Sequence, residues 1–284
     1  MNPSQKTGQM EMAQPAWTVG GACHHRGMMM DSTFLPAAPL AEAEREGLYR
    51  AILTRRDTRG EFLPDDVPDE IVSRILVAAH HAPSVGFMQP WSFVIVRNPE
   101  VRRRVHDAFV TAHAEAALMF PEDKRDFYSA LKLEGIMEAP LNICVTCDRN
   151  RAGPVVIGRT HIRTMDMFSS VCAVQNLWLA ARAEGLGVGW VSIFDNATVQ
   201  AALNIPKGIV PIAYLCVGKV KGYHRRPELE AAGWRPRLPL DELLHFDQWD
   251  GPEPEEALTR LVREDQRSVN QGTFVGALAQ SLRQ

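Results

Sequence analysis

The fold class of this chain is decided by residues 163–195, which read RTMDMFSSVCAVQNLWLAARAEGLGVGWVSIFD. The first part predicts a long helix that Gly185 ends, because glycine readily adopts the backbone conformation that closes a helix. The helix is apolar on most faces, so we expect it to be central and buried. The segment GVGWVSIFD, residues 187–195, predicts a strand directly after it.

Strands and helices mix on both sides of this region. The regular βαβ alternation of a doubly wound fold is missing, so we predict an α+β fold in which helices cover a mainly antiparallel sheet. Further strands are predicted at WSFVIVRN (91–98), PLNICVTCD (140–148) and IVPIAYLCVG (209–218). Further helices are predicted at 41–57, 69–82, 99–118 and about 196–203.

Length and composition divide the chain into three parts. Residues 1–40 are rich in Met, Pro, Gly, Ser and Thr and show no period, which predicts a disordered N-terminal extension. Residues 41–250 carry the regular elements and form the predicted functional domain. Residues 251–284 begin acidic and Pro-rich and then offer one amphipathic helix, which we interpret as a C-terminal appendage.

Charge and cysteine content exclude several classes of protein. The net charge of the 284 residues is −3, so no basic field attracts nucleic acid or an anionic membrane. No apolar run approaches the roughly 20 residues that span a bilayer. The cysteines are odd in number and scattered, which argues against a disulfide scaffold and predicts a reducing, cytoplasmic location. They are Cys23, Cys144, Cys147, Cys172 and Cys216.

Three short patterns are weak signals of a metal or dinucleotide site. Cys144 and Cys147 form a C-x-x-C within a predicted strand, without the second pair that a structural zinc site needs, so we interpret them as small buried apolar residues. The cluster Cys23-His24-His25 falls in the predicted tail. GLGVGW, residues 185–190, follows a helix and opens a strand, the reverse of the dinucleotide-binding order. We predict no metal.

An anion site with a carboxylate is one interpretation of RRDTRG, residues 55–60; a solvated helix end is the other. The segment HAPSVGFMQPW, residues 81–91, combines backbone-stiffening Pro and Gly with polar and apolar side chains. It suits a flat, partly polar aromatic ligand, or is a loop held by a buried Trp91.

A third segment, AAGWRPRLPLDEL at 231–243, places Arg235 and Arg237 two residues apart in an extended chain. Such side chains share a face and can reach one phosphate. The alternative is an exposed strand end.

Together these segments resemble the flavin-binding segments of the nitroreductase superfamily in order and spacing, over roughly residues 45–245. RRDTRGEF, PSVGFMQPWSFVIV and ELEAAGWRPRLPLDEL are specifically similar to the BluB family, which uses dioxygen to fragment reduced FMN into the lower ligand of vitamin B12. The resemblance implies a homodimer with FMN in the subunit interface, FMNH2 as substrate, O2 as co-substrate and a separate flavin reductase that supplies FMNH2. The implied cofactor-binding residues are Arg55, Arg56, Asp57, Thr58, Arg59, Pro83, Ser84, Val85, Ser192, Arg235 and Arg237.

Asp57 and Ser192 are the implied catalytic residues. A carboxylate has the wrong sign for binding phosphate, and flavin reductases of the superfamily commonly have a small polar residue at this place. We expect neighbouring arginines to lower the pKa of Asp57 and keep it ionised, so that it accepts a proton from the ribityl chain. Ser192 stands where many nitroreductases have an acidic residue, and its hydroxyl offers a proton-transfer partner near the N5 and C4a edge of the flavin. The alternatives are an Arg–Asp structural pair and a strand serine.

Two other functions compete with flavin fragmentation. One is an NAD(P)H-dependent nitroreductase that retains FMN as a cofactor. The other is a flavin-binding or flavin-storage protein without catalytic activity. Asp57 together with Ser192 favours fragmentation.

Overall fold

A computed structural model describes residues 38–249, 251 and 256–272. The described residues from Leu40 to Gly272 belong to one compact unit. The predicted α+β class with an antiparallel sheet is confirmed. Within the described residues, no helix combines the length and apolar character that crossing a membrane requires. The expected tail and its Cys23-His24-His25 cluster lie outside the described residues, and the three-part division of the chain stays a prediction.

Eight α-helices, two short 3-10 helices (Val85–Phe87 and Leu240–Leu243) and four strands are assigned within the described residues. The strands are β1 (Trp91–Val96), β2 (Leu141–Asp148), β3 (Leu186–Val191) and β4 (Ile209–Lys219). The helices are α1 (Glu42–Thr54), α2 (Asp69–His80), α3 (Pro99–Met119), α4 (Glu122–Ala130), α5 (Met165–Ala183), α6 (Asn196–Leu203), α7 (Glu228–Ala231) and α8 (Glu256–Gln271).

Side-chain caps define where two of the helices begin. The Asn98 side chain accepts hydrogen bonds from the backbone N–H groups of Glu100 and Val101, and Pro99 occupies the first turn of α3. Asp195 caps α6 in the same way. The nine-residue helix α4 was not predicted, because its sequence EDKRDFYSA is mostly polar and offers few apolar residues to reveal a helical period.

The sheet has the strand order β1-β2-β4-β3, and every neighbouring pair is antiparallel. The β2–β4 pairing shifts its register between Val145 and Thr146. Strand β2 is buried along seven of its eight residues, as expected for a strand covered on both faces. Cys144 and Cys147 lie buried in it, and burial raises the pKa of the Cys144 thiol to about 12. The interpretation of this C-x-x-C as buried apolar residues is confirmed.

Helices cover both faces of the sheet. One apolar core joins α2 and α5 to the sheet and includes Ile75 and Leu177. A second core joins the other face to α3 and α6 and includes Val105 and Val199. The expectation that α5 is buried holds for most of its length but is wrong for one face, which exposes Phe168, Val171 and Cys172.

The last described helix, α8, packs on the segment that follows the two candidate phosphate-binding arginines. Gln266 donates to the carbonyl of Leu238 and accepts from the N–H of Leu240. Arg263 pairs with Asp241 at 2.6 Å. The predicted amphipathic helix is therefore present, and it braces the chain just after Arg235 and Arg237.

Candidate functional site

The Asp57–Thr58 segment runs beside the free edge of β3. The backbone N–H of Thr58 donates to the carbonyl of Val188 at 3.0 Å. Asp57 forms a parallel bridge with Val188, and its Oδ1 accepts the N–H of Trp190 at 2.9 Å. The candidate base is thus fixed by the backbone of a strand, which is more rigid than a loop.

Two glycines of β3 permit this approach. A Cβ added at Gly189 would lie 2.1 Å from the carbonyl oxygen of Thr58, and one at Gly187 would lie 2.8 Å from the Thr58 hydroxyl. The repeated glycine of GLGVGW therefore serves close packing of two chain segments. Thr58 is only 3% exposed and anchors the segment; the predicted role of its hydroxyl as a ligand donor stays a prediction.

Asp57 is paired and partly accessible. Its Oδ2 accepts a hydrogen bond from Arg59 Nη2 at 2.6 Å, and 32% of its side chain is exposed, so a substrate can reach it. Burial raises the pKa of Asp57, and the Arg59 charge and the Trp190 N–H offset this only partly. The expectation of a lowered pKa is wrong because desolvation of the carboxylate outweighs the neighbouring guanidinium.

Arg55 and Arg56 follow the end of α1 and differ in what their guanidinium groups do. Arg55 stacks over the Trp178 ring at 4.7 Å, and the buried Nε of both arginines has no hydrogen-bond partner in the described structure. Arg56 donates to three backbone carbonyls, including that of Arg225 at 2.6 Å. Arg55 therefore keeps donors for a ligand, whereas most of Arg56 holds the chain in place.

Arg237 lies close enough to Arg55 and Arg56 to act on both. Burial lowers the pKa of Arg55 and of Arg56, and the charge of Arg237 lowers both further. Three cations held together in this way favour an anionic ligand, because its charge relieves their repulsion. Arg235 and Arg237 are both exposed, but Arg237 is the one whose charge acts on Arg55 and Arg56 among the interactions of the described residues. The structure therefore brings Arg237 to this cluster, and the phosphate-binding role of both arginines stays a prediction.

The PSVGFMQP loop has a backbone under strain. Gly86, Phe87 and Gln89 all have positive φ, at 54°, 52° and 48°. For a bulky side chain such as Phe87, which is 81% exposed, this conformation is uncommon and is typical of ligand-binding segments. The Ser84 hydroxyl accepts the N–H of Gln89 at 3.0 Å and so stabilises the turn.

The three predicted loop residues occupy different environments. Pro83 is exposed, whereas Ser84 and Val85 are half-buried. The N–H of Val85 donates to Ser169 Oγ at 3.0 Å and ties the loop to α5.

Ser192 is exposed and lies one residue beyond the end of β3. It was predicted within the strand; the strand ends earlier, at Val191. Ser192 lines a small open pocket with Asn196 and Pro211, about 70 Å³ in volume. Because the N–H of Trp190 holds Asp57 and Ser192 follows Trp190 by two residues, both predicted catalytic residues lie at the same end of the sheet edge.

Sequence reasoning missed several polar residues that support this site. Asp166 is fully buried at the start of α5 and pairs with Arg149 and Arg159, which brace the loop that packs on Gly86. Beside Arg59 lies a cluster of Glu61, His224 and Glu228. Sequence reasoning did not connect either group, because Asp166 meets Arg149 across 17 residues and Glu61 meets His224 across 163.

Comparison with known proteins places this geometry in a family. The model of the nitroreductase family matches residues 52–219. The chain belongs to the nitroreductase family. A 5,6-dimethylbenzimidazole synthase of Rhodospirillum rubrum is 44% identical over 195 residues, which cover 69% of this chain and 92% of the relative. A synthase of the same description from Rhodobacter capsulatus is 35% identical over 200 residues, covering 70% and 96%. The predicted relationship of this nitroreductase-family chain to dimethylbenzimidazole synthases is confirmed.

Solved structures show the same nitroreductase fold. An iodotyrosine deiodinase bound to FMN and 3-iodo-L-tyrosine superposes with a TM-score of 0.57 at 20% identity, over 71% of this chain and all of the other. A BluB-like flavoprotein from Clostridium difficile superposes with a TM-score of 0.54 at 21% identity, over 71% of this chain and 99% of the other. The predicted nitroreductase-like fold is confirmed.

Proposed function

We propose that this enzyme uses dioxygen to fragment reduced FMN into 5,6-dimethylbenzimidazole, the lower ligand of vitamin B12. The relatives named above support the activity. The observation that carries the proposal is the placement of Asp57: a carboxylate held by the Trp190 N–H at a site surrounded by arginines. An enzyme that only passes electrons through a flavin has no need of such a base.

The arginine cluster fits the phosphate of FMN. Arg55 has a buried Nε without a partner, and Arg55, Arg56 and Arg237 repel one another in the absence of an anion. Arg55 and Arg237 would hold the phosphate, since guanidinium groups match its oxygens. The strained loop at 83–89 would address the ring with its backbone groups. Reduced FMN supplies both the electrons for dioxygen and the atoms of the product.

Asp57 and Ser192 would divide the proton transfers. Burial raises the pKa of Asp57, so its carboxylate is a stronger base than an ordinary aspartate. Asp57 would take a proton from the ribityl chain, where carbon–carbon bonds must break. Ser192, whose hydroxyl both donates and accepts hydrogen bonds, would be the proton-transfer partner at the edge of the flavin ring during the reaction with dioxygen.

A homodimer would complete the site. The pocket beside Ser192 is much smaller than the ~300 Å³ typical of small-molecule sites. Apolar side chains on α1 and α5 are exposed in the single chain, among them Leu48, Ile52, Phe168 and Val171. A second copy covering these faces would bury them and enclose the flavin between the subunits.

The test is product analysis after a single exposure to air. The protein is mixed with chemically reduced FMN without oxygen, then aerated, and the products are separated by chromatography and identified by mass. We expect dimethylbenzimidazole in stoichiometric relation to the FMN consumed. This also represents the natural reaction, in which a separate flavin reductase would supply FMNH2. Oxidised FMN alone, with NADH-dependent reduction of nitro compounds, would instead support a nitroreductase; oxidised FMN without either activity would support flavin storage.

A further inference from the structure

A second carboxylate lies within reach of the guanidinium that pairs with Asp57. Arg59 Nη2 contacts Asp57 Oδ2 at 2.6 Å, and Arg59 Nη1 lies 3.9 Å from Glu228 Oε2. The Arg59 side chain is only 12% exposed, so these carboxylates are its main compensation for lost solvent. Glu228 Oε2 is itself buried and accepts no hydrogen bond within the described structure. Glu228 Oε2 is therefore an acceptor without a hydrogen bond, and it lies beside the Arg59 guanidinium that also pairs with Asp57.

The side chains of Glu61 and His224 keep Glu228 close to Arg59. His224 Nε2 lies 2.8 Å from Glu61 Oε1 and 3.7 Å from Glu228 Oε1. The other oxygen of Glu61 accepts the backbone N–H groups of Arg59 at 3.3 Å and Gly60 at 3.2 Å. The contacts close a ring: Glu61 fixes the backbone of Arg59, His224 joins Glu61 to Glu228, and Glu228 reaches the side chain of Arg59.

We propose that Glu228 is a positioning residue that shares the Arg59 guanidinium with Asp57 and so limits how tightly this arginine is bound to the candidate base. The inference rests on the proposed function in one respect, that Asp57 is the base. A carboxylate locked in an exclusive ion pair is a poor proton acceptor, because the pair stabilises its charged form. Division of Arg59 between two carboxylates weakens that stabilisation.

Charges around the two carboxylates agree with this assignment. Burial raises the pKa of Glu228, the charge of Glu61 raises it further, and Arg59 and His224 oppose the rise. The hydrogen bond to Glu61 raises the pKa of His224. Asp57 faces Arg59, Arg55 and the N–H of Trp190. Glu228 faces Glu61, Arg59, His224 and Asp57. His224 faces Glu61, Glu228 and Arg56.

A metal ion is the other occupant that this ring suggests. The ligand atoms of Glu61, His224 and Glu228 all lie within 4.8 Å of one another. The negative charges of the two glutamates are already compensated, however, because Arg59 lies beside Glu228 and His224 hydrogen-bonds to Glu61. A divalent ion would also be repelled by Arg59. The positioning role uses every contact in the ring, so we favour it.

The test compares Glu228→Gln with the matched variant Glu230→Gln. Glu230 lies on the same short helix and pairs with Arg226. The pKa of Asp57 is measured by carboxyl carbon NMR in flavin-free protein, with the resonance assigned by its loss in Asp57→Asn. In Glu228→Gln, Asp57 is the remaining carboxylate of the two that share Arg59. We therefore expect the titration midpoint of Asp57 to fall by about one pH unit, the scale of the effect of one neighbouring opposite charge. Glu230→Gln should leave it unchanged.

Activity gives the second readout. The acid limb of the rate of dimethylbenzimidazole formation should move to lower pH in Glu228→Gln by the same amount, with a lower plateau and unchanged affinity for FMN. Glu228→Ala should shift the NMR midpoint in the same direction, which guards against a new contact made by the glutamine amide.

An unchanged Asp57 midpoint in both Glu228 variants would overturn the inference, as would an equal shift in Glu230→Gln. A zinc-dependent change of the wild-type midpoint would overturn it in favour of a metal site. Failure of the wild type to form dimethylbenzimidazole would reject the proposed function, whereas the NMR comparison would still decide whether Arg59 is shared.

Discussion

The carbonyl of Thr58 lies where a side chain on Gly189 would have to be: an added Cβ would come within 2.1 Å of this oxygen. Backbone cannot withdraw as the end of a flexible side chain can, so the Asp57–Thr58 segment would have to leave the edge of β3. We expect Gly189→Ala to lose the hydrogen bonds that fix Asp57, to lower the thermal midpoint and to abolish product formation. Product assay and calorimetry measure both effects. Gly222→Ala, at a glycine with open space around its Cα, should behave as wild type.

Asp57→Asn separates binding from chemistry. The amide is nearly isosteric but cannot take a proton as a carboxylate does. We expect the variant to bind reduced FMN with unchanged affinity, to react with dioxygen and to release oxidised FMN without dimethylbenzimidazole. Anaerobic mixing followed by aeration, stopped-flow absorbance and product analysis gives the result. A wild-type yield would show that Asp57 is not the base and would leave RRDTRG as an ion-pair and phosphate segment.

Ser192→Ala should affect an earlier step than Asp57→Asn does. Removing the hydroxyl takes away a proton partner at the ring edge, so the reaction of bound reduced FMN with dioxygen should slow while affinity stays the same. The measurement is the stopped-flow rate of flavin absorbance change at several oxygen concentrations. Identical oxygen-step rates in Ser192→Ala and wild type would assign Ser192 a structural part only.

Arg237 and Arg235 should differ, although the sequence gives them equal weight. Arg237 joins the cluster with Arg55 and Arg56, so Arg237→Ala should weaken FMN binding by about 1.5–3 kcal/mol, the range for a hydrogen bond to a charged group. Riboflavin lacks the phosphate, and its affinity should change little. Arg235→Ala should have the smaller effect on FMN. Fluorescence titration with both ligands measures this; equal losses for FMN and riboflavin would remove Arg237 from the phosphate site.

The buried Asp166 should make stability depend on pH. Although burial opposes ionisation, hydrogen bonds from Arg159 and Arg149 lower the pKa of Asp166. A lowered folded-state pKa stabilises the protein above the ordinary Asp pKa of about 3.9, and this contribution is lost as pH falls through the folded value. Asp166→Asn should therefore reduce the free energy of unfolding at pH 7 by about 1.5–3 kcal/mol.

The difference in free energy of unfolding between Asp166→Asn and wild type should narrow as pH falls below about 3.9, because the unfolded chain protonates Asp166 first and the folded protein follows at its lower pKa. Urea denaturation at pH 7 and at about pH 3, below the ordinary Asp pKa, tests this. Asp69 forms an exposed pair with Arg97, so Asp69→Asn should change stability by less than about 1 kcal/mol at either pH. A pH-independent loss in Asp166→Asn would mean that the carboxylate charge is not what stabilises α5.

The sequence predicted most of the fold and one half of the site, for physical reasons that particular residues show. Apolar periodicity reveals α2 and β2, because both elements bury their apolar residues in the core of the single chain. RRDTRG is visible because its charges are adjacent in sequence. The contact of Glu228 with Arg59 could not be predicted, because the two residues are 169 positions apart in the sequence. The pKa of Asp57 was misjudged because sequence shows nearby charges but not desolvation.

Exposed apolar residues on α5 give the last prediction, that the protein is a homodimer whose flavin site needs both subunits. Phe168 is 54% and Val171 40% exposed in the single chain, although both lie on an otherwise buried helix. A carboxylate at Val171 meets water in the monomer but would be buried in a dimer, where an unpaired charge is costly. Val171→Glu should therefore dissociate the dimer, keep the far-ultraviolet circular dichroism of wild type and bind FMN at least tenfold more weakly. Val110 is 50% exposed on α3, which covers the opposite face of the sheet, so Val110→Glu should remain dimeric and bind FMN normally. Light scattering and fluorescence titration measure the two properties; a monomeric Val171→Glu that still binds one FMN per chain with wild-type affinity would show that each subunit holds a complete flavin site.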